Sequence, residues 1–319
     1  FSVLICIFLK KYEVCLRQMI NLHKQKHNVK IVLSKFYNFF RAMKIVYFHF
    51  HESHNNLKFQ RKMKNRIEFL KSKYQIVPLQ ELLDNPSSKK LSIMVDDAGS
   101  NFYSTGWEIL RKEKIPFTLS IIAGLTESEP RTRLIANLMR IAGNPPSGLD
   151  YYTARNKLAS FLIDSQSTLN DFDSIFVALN GLSNLELKKI YSVMNFPDHN
   201  FMDWKQIDEI KRKARIDIGS HSMSHPVLSL GSKEWLEWEV IESKKRIETN
   251  LGAECNFFTY PFGHSYCVSP KTEDVIRRAG YKNALLTTHC SFPFFENPYR
   301  IPRIDGEASS LKISYRRPC

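Results

Sequence analysis

From Lys44 onward, short apolar runs rich in Val, Ile and Phe alternate with longer stretches whose apolar residues recur at helical spacing. That is the pattern of a parallel sheet wrapped by helices. The runs 45–50, 91–95, 117–123, 216–218, 257–260 and 284–287 predict strands. Between them the period lengthens. Residues 57–74 place Phe59, Met63, Ile67 and Leu70 on one face, and residues 233–251, opening from Ser232 as a cap, repeat Trp235, Val240 and Ile247 as a buried stripe. Both stretches predict helices. The interval 125–196 carries no strong strand pattern, and helical pieces such as 185–194 sit between polar turns, which predicts a helical insertion. The absence of an internal repeat argues against a solenoid.

A chain of 319 residues with 43% hydrophobic composition can bury a sizeable core and suits one large α/β domain or two smaller ones. Its formal charge of +14 is confined to one end. Residues 1–73 hold 16 Lys and Arg against 3 Asp and Glu, leaving 30 basic and 29 acidic residues beyond. The basic stretch is of a kind that approaches anionic lipid or nucleic acid. Residues 1–42 are weakly helical and are expected to lie outside the fold, with 43–319 forming the domain. No nucleic-acid partner is expected of the nearly neutral remainder, and membrane association is confined to the basic end.

Six cysteines without a CxxC pair or regular spacing suggest reduced thiols rather than a zinc ribbon or disulfide framework. The opening FSVLICIFL is apolar for nine residues, about half of the ~20 that a membrane-spanning helix needs. It reads either as the stump of a signal or anchor, implying export or membrane attachment, or as sequence upstream of a start at Met43, implying a cytoplasmic protein.

Three constellations carry chemistry. In LSIMVDDAGS an apolar strand ends in Asp96 and Asp97, and residues at the carboxyl ends of parallel strands are the ones that face ligands. In IGSHSMSHP, His221 and His225 lie four apart after a short strand, so a helical turn brings both imidazoles to one side. Two imidazoles and one carboxylate leave a fourth position for water, the arrangement of a hydrolytic zinc site. In FFTYPFGHSY a strand breaks at Pro261 into a Gly263 turn, a break that exposes backbone N–H groups suited to an oxyanion.

In this order the segments resemble the NodB-type polysaccharide deacetylases, carbohydrate esterase family 4. Members carry a Thr-Phe-Asp-Asp-Gly strand end, a His-x-x-x-His segment and an aromatic-Pro-aromatic-Gly turn. The counterparts here are Val95-Asp96-Asp97, His221 to His225 and Tyr260-Pro261-Phe262-Gly263, and the resemblance runs over residues 45–305. It implies a distorted (β/α) barrel, with the helical insertion accounting for the 124 positions between Asp97 and His221. It further implies removal of N-acetyl groups from amino sugars of an acetylated glycan. Asp96 would be the general base, and Asp97, His221 and His225 would hold a divalent metal, zinc before cobalt or nickel. The backbone N–H of Phe262 would help hold the oxyanion. A general-acid histidine is expected near the last strand, where His289 lies. Arg303 is placed as a substrate contact or carboxylate partner, and His49, His51 and Tyr260 as substrate contacts. Two positions depart from the pattern: Ala98 replaces the glycine after the acids, and Thr259 the arginine that orients the base. An inactive glycan-binding relative and an O-acetyl esterase are the alternative readings.

Overall fold

Each of the six apolar runs forms a buried strand, and all of them pair in parallel, so their connections must cross over through helices. The computed structural model describes residues 44–50, 57–143, 151–162, 172–195, 200–287 and 297–307. The strands are β1 (Ile45–Phe48), β2 (Gln75–Ile76), β3 (Lys90–Val95), β4 (Phe117–Ile121), β5 (Ile216–Ser220), β6 (Cys255–Thr259), β7 (Asn283–Leu286), β8 (Ile301–Pro302) and β9 (Ile304–Asp305). Eight follow one path, β8-β7-β6-β5-β4-β3-β1-β9, and β2 pairs with β3 beside it. The two ends of that path, β8 and β9, are separated in the chain by Arg303 alone. The path therefore curls on itself into a nearly closed parallel barrel.

The helices are α1 (Leu57–Lys73), α2 (Leu79–Asp84), α3 (Trp107–Lys112), α4 (Ala123–Thr126), α5 (Pro130–Gly143), α6 (Tyr151–Leu162), α7 (Phe172–Gly181), α8 (Asn184–Met194), α9 (Trp204–Lys213), α10 (Lys233–Glu237), α11 (Ser243–Leu251) and α12 (Pro270–Arg278). In α1 the periodic residues Met63, Ile67 and Leu70 are buried as the spacing predicts. The stretch 233–251 differs from one continuous α-helix: a π-helical turn, Trp238–Glu242, joins α10 to α11. Trp235 and Val240 are five positions apart, too many for one face of an α-helix, and the wider π turn lets both reach full burial. Ser232 also caps differently from expectation. Its hydroxyl and backbone N–H both reach the Asp173 carboxylate, the N–H at 2.9 Å, tying α10 to α7.

Helices α5 to α8 fill the interval between β4 and α9 and share the barrel's core. Ile135, Leu138, Leu158, Ile175, Leu187 and Ile190 belong to the same apolar cluster as Val46, Ile93, Leu119 and Ile218. Strands β1 and β4 stop two residues earlier than the apolar runs because Ala123 opens α4 and His49 leaves the sheet. Among the described residues Cys255 and Cys267 are free and buried, and no helix is long and apolar enough to cross a membrane.

Candidate active site

The carboxyl end of β3 runs directly into the first acids. Asp97 and Ala98 both take left-handed backbone angles, φ 72° and 56°. Ala98 thus makes the turn that a glycine would make without strain, at a cost of roughly 1–2 kcal/mol per residue. The turn is held from outside: Met202 N–H donates to the Ala98 carbonyl at 2.9 Å, and Ser100 N–H to the Asn200 carbonyl at 2.9 Å.

At the end of β5 the two histidines come together by a route other than a helical turn. Residues 221–227 form an irregular loop in which Ser222 and His225 have φ of 68° and 62°, and the imidazole centroids lie 4.7 Å apart, edge to face. Side chains impose this path. Ser222 Oγ accepts the His225 N–H at 3.0 Å, and Ser220 Oγ accepts the Ser222 N–H at 3.2 Å. Glu239, fully buried in the π turn, accepts the N–H groups of Met223 and Ser224 at 2.9 and 3.0 Å and the Ser224 hydroxyl. From the other side Ala123 and Gly124 donate backbone N–H groups to the carbonyls of Ser222 and Met223. A Cβ on Gly124 would stand 2.6 Å from the Met223 oxygen, so only glycine lets α4 approach this closely.

These two loops bring Asp97, His221 and His225 together. Asp97 Oδ1 lies 3.5 Å from His221 Nε2 and 3.7 Å from His225 Nε2, and one donor atom from each residue falls within 4.8 Å of the others. Bonds of about 2.0–2.2 Å in tetrahedral array hold ligand atoms roughly 3.3–3.6 Å apart, so the donor set fits a divalent ion. Orientation agrees with that use. His221 Nδ1 is 2.8 Å from the Thr259 carbonyl and 2.7 Å from its hydroxyl, which itself donates to the Ser220 carbonyl. With the ring proton directed to Thr259, Nε2 presents its lone pair to the cluster. Burial lowers the affinity of both imidazoles for protons, that of His225 to a pKa of about 3, so both are neutral at pH 7, the state in which an imidazole can bind a metal.

Asp96 occupies a different environment. It is 2% exposed, and its Oδ1 accepts from Arg303 Nη1 at 2.8 Å. Burial alone raises a carboxylate's pKa, but Arg303, His221 and His49 together outweigh it and hold Asp96 below the ordinary range. Arg303 is itself buried, seated at the barrel seam over the Tyr47 ring, and is thereby committed to the carboxylate rather than extended toward solvent. His49 lies just beyond β1 instead of within it, with Nε2 3.9 Å from Asp96 Oδ2. His51 and His289 lie outside the described residues.

Asp96, Asp97, His221, His225, His49 and Arg303 line one open cavity of about 490 Å³, within the range of small-molecule sites. Phe262 closes one side, its ring 4.8 Å from that of His225 and its backbone left-handed at φ 61°. Thr287 fixes this turn by donating from its hydroxyl to the Phe262 carbonyl at 2.8 Å. The buried Tyr260 lines the cavity with its ring and directs its hydroxyl to the Tyr299 carbonyl. Among the described residues, seven besides glycine have positive φ, and five of them, Asp97, Ala98, Ser222, His225 and Phe262, belong to these site loops. Backbone strain concentrated in this way is typical of functional loops held by their surroundings.

Several contributors were invisible to motif reading. Glu239 stands in a helical stripe beside Trp235 and Val240, where an acid on an apolar face was the only available signal. Thr259 figured as a lost arginine, whereas here it orients His221, and the arginine for Asp96 comes from position 303. Arg140 reaches the cavity from α5 and Phe201 from the segment before α9.

A nearly closed parallel barrel carries, at the carboxyl ends of its strands, a cluster of three residues that could hold a metal ion, the place where such barrels carry their active sites. The polysaccharide deacetylase family matches residues 84–284, more than half of the chain, and the protein belongs to it. The fold is similar to that of IcaB from Ammonifex degensii (TM-score 0.54, 15% identity, 83% of this chain and 91% of that one). It is also similar to that of a de-N-acetylase from Aggregatibacter actinomycetemcomitans (0.53, 13%, 85% and 98%). A valine–tRNA ligase of Pelagibacter ubique is 26% identical over 211 residues, 59% of this chain, and the chain spans only 22% of that protein's length.

Proposed function

We propose that this protein is a metal-dependent deacetylase that removes N-acetyl groups from amino sugars of a glycan. The observation that carries the reading is the convergence of Asp97, His221 and His225, at 3.5 and 3.7 Å, beside a second carboxylate held anionic by an arginine. A divalent ion held by those three residues, zinc in the first instance, would supply polarisation of the acetyl carbonyl and a water of lowered pKa. The remaining steps fall to the protein. Asp96, anionic and dry, takes the proton of the attacking water as general base. The Phe262 N–H, in the turn that closes the cavity, donates to the carbonyl oxygen as negative charge builds there, a contribution of ~3 kcal/mol in comparable sites. His49, its Nε2 3.9 Å from Asp96 Oδ2, hands a proton to the departing amine in place of His289, which lies outside the described residues. Neutral His221 and His225 remain ligands throughout.

The de-N-acetylase among the similar folds supports amide rather than ester cleavage, and the family supports a glycan as the carrier. The test is acetate release by the zinc-supplemented protein from N-acetylglucosamine oligomers and from O-acetylated oligomers. Release from the first that is lost in Asp96→Asn agrees with the proposal. Release from the O-acetylated set alone indicates an esterase, and release from neither indicates a glycan-binding relative.

A further inference from the structure

The cavity contains a cation that the proposed chemistry does not use. Arg140 projects from α5, in the helical insertion, into the same space as Asp97, His225 and Phe262. Its Nε is buried without a hydrogen-bond partner, and its guanidinium lies over the Phe201 ring with 5.5 Å to the centroid. The other arginine that lines the cavity among the described residues, Arg303, is paired with Asp96. Arg140, by contrast, forms no ion pair within 4 Å among the described residues; burial pushes its affinity for its proton down, outweighing the longer-range pull of the Asp97 carboxylate. Stacked on an aromatic ring, a guanidinium keeps its edge free for a planar, bidentate acceptor. Removing such a group from water without pairing it is unfavourable, and that deficit is recovered when an anion arrives.

We infer that Arg140 is a specificity-determining residue that receives an anionic substituent, a carboxylate or phosphate, on the sugar beside the acetylated one. The inference rests on the deacetylase reading for its substrate and assigns the insertion a role in choosing it. A neutral, chitin-like chain leaves Arg140 unpaired, whereas an acidic glycan completes the cavity. Phe201 fixes the height of the guanidinium, since its segment is bridged to Gly99 beside the acids.

The experiment compares three probes: the N-acetylglucosamine tetramer, a tetrasaccharide alternating N-acetylglucosamine with glucuronic acid, and a tetramer bearing 6-O-phosphate. Acetate release and calorimetric binding are both measured, for wild type, Arg140→Gln and Arg140→Lys. The expected result is an acidic-over-neutral ratio of kcat/KM of at least about tenfold in wild type, carried by KM. The ratio collapses in Arg140→Gln and largely survives in Arg140→Lys, and which acidic probe is preferred tells carboxylate from phosphate. A wild type without preference overturns the inference, as does an Arg140→Gln variant in which all probes and the bound metal decline together. If no probe releases acetate, the hydrolytic reading fails, and the binding ratio still decides the role of Arg140.

Discussion

Arg303 Nη1 lies 2.8 Å from Asp96 Oδ1 inside the barrel, across 207 positions of sequence. The arginine sits at the one-residue junction of β8 and β9, so the seam that closes the barrel also delivers the charge that keeps Asp96 ionised. Replacing Arg303 by Met leaves a buried carboxylate unpaired, which typically costs about 3–5 kcal/mol. The pH dependence follows with a definite sign. A carboxylate whose pKa is depressed in the fold stabilises above its unfolded pKa and loses that contribution as pH falls through the folded value. Without Arg303 the folded pKa rises, so the acid limb of kcat/KM moves to higher pH in Arg303→Met. Superimposable profiles for variant and wild type would show that Asp96 does not depend on the pair.

Glu239 gives the opposite sign. Burial pushes its pKa up to about 7, so the folded protein binds a proton that the unfolded chain releases near pH 4.5. Its contribution is fully present below pH 4.5 and is lost as pH rises to about 7, by roughly 3 kcal/mol at most. Glu239→Gln removes that slope. Denaturant unfolding of both proteins from pH 4.5 to 8 should give a difference in stability that shifts steadily in favour of the variant and levels off above pH 7. A difference constant over that range contradicts the assignment.

How much of this was legible beforehand depends on the range over which each interaction acts. The six main strands and the helix 57–73 are periodic over enough residues for sequence to reveal them, and the expected barrel agrees with the observed one. Strands β2, β8 and β9 have two residues each and exist only because a neighbour pairs with them. The Asp97–His221–His225 cluster was readable because three motifs appear in a fixed order. Arg303 was likewise placed as a substrate contact or carboxylate partner, and it pairs with Asp96, but the His221–Thr259 contact and the Glu239 anchor were not readable, because each joins residues brought together only by the fold. The histidine loop is the clearest case. Spacing of four suggested a helical turn, but the serines at 220 and 222 satisfy the backbone locally and stabilise a loop instead.

Gly124 tests whether that loop is positioned from outside. Gly124→Ala places a methyl 2.6 Å from the Met223 oxygen, midway between the two histidines. Overpacking of this kind costs typically 1–3 kcal/mol. The variant should fold with lowered thermal stability and bind divalent metal at least about tenfold more weakly than wild type, the scale seen when supports of metal ligands are lost. Unchanged metal affinity together with the expected stability loss would mean that the loop holds its shape without α4.

The central claim is tested most directly by metal content per chain in purified, zinc-equilibrated and dialysed protein. About one ion per wild-type chain is expected, falling to background in Asp97→Asn and in His225→Ala while far-ultraviolet circular dichroism stays unchanged. Stoichiometric metal in the His225→Ala protein would contradict the account, because it would place the ion on ligands other than these three.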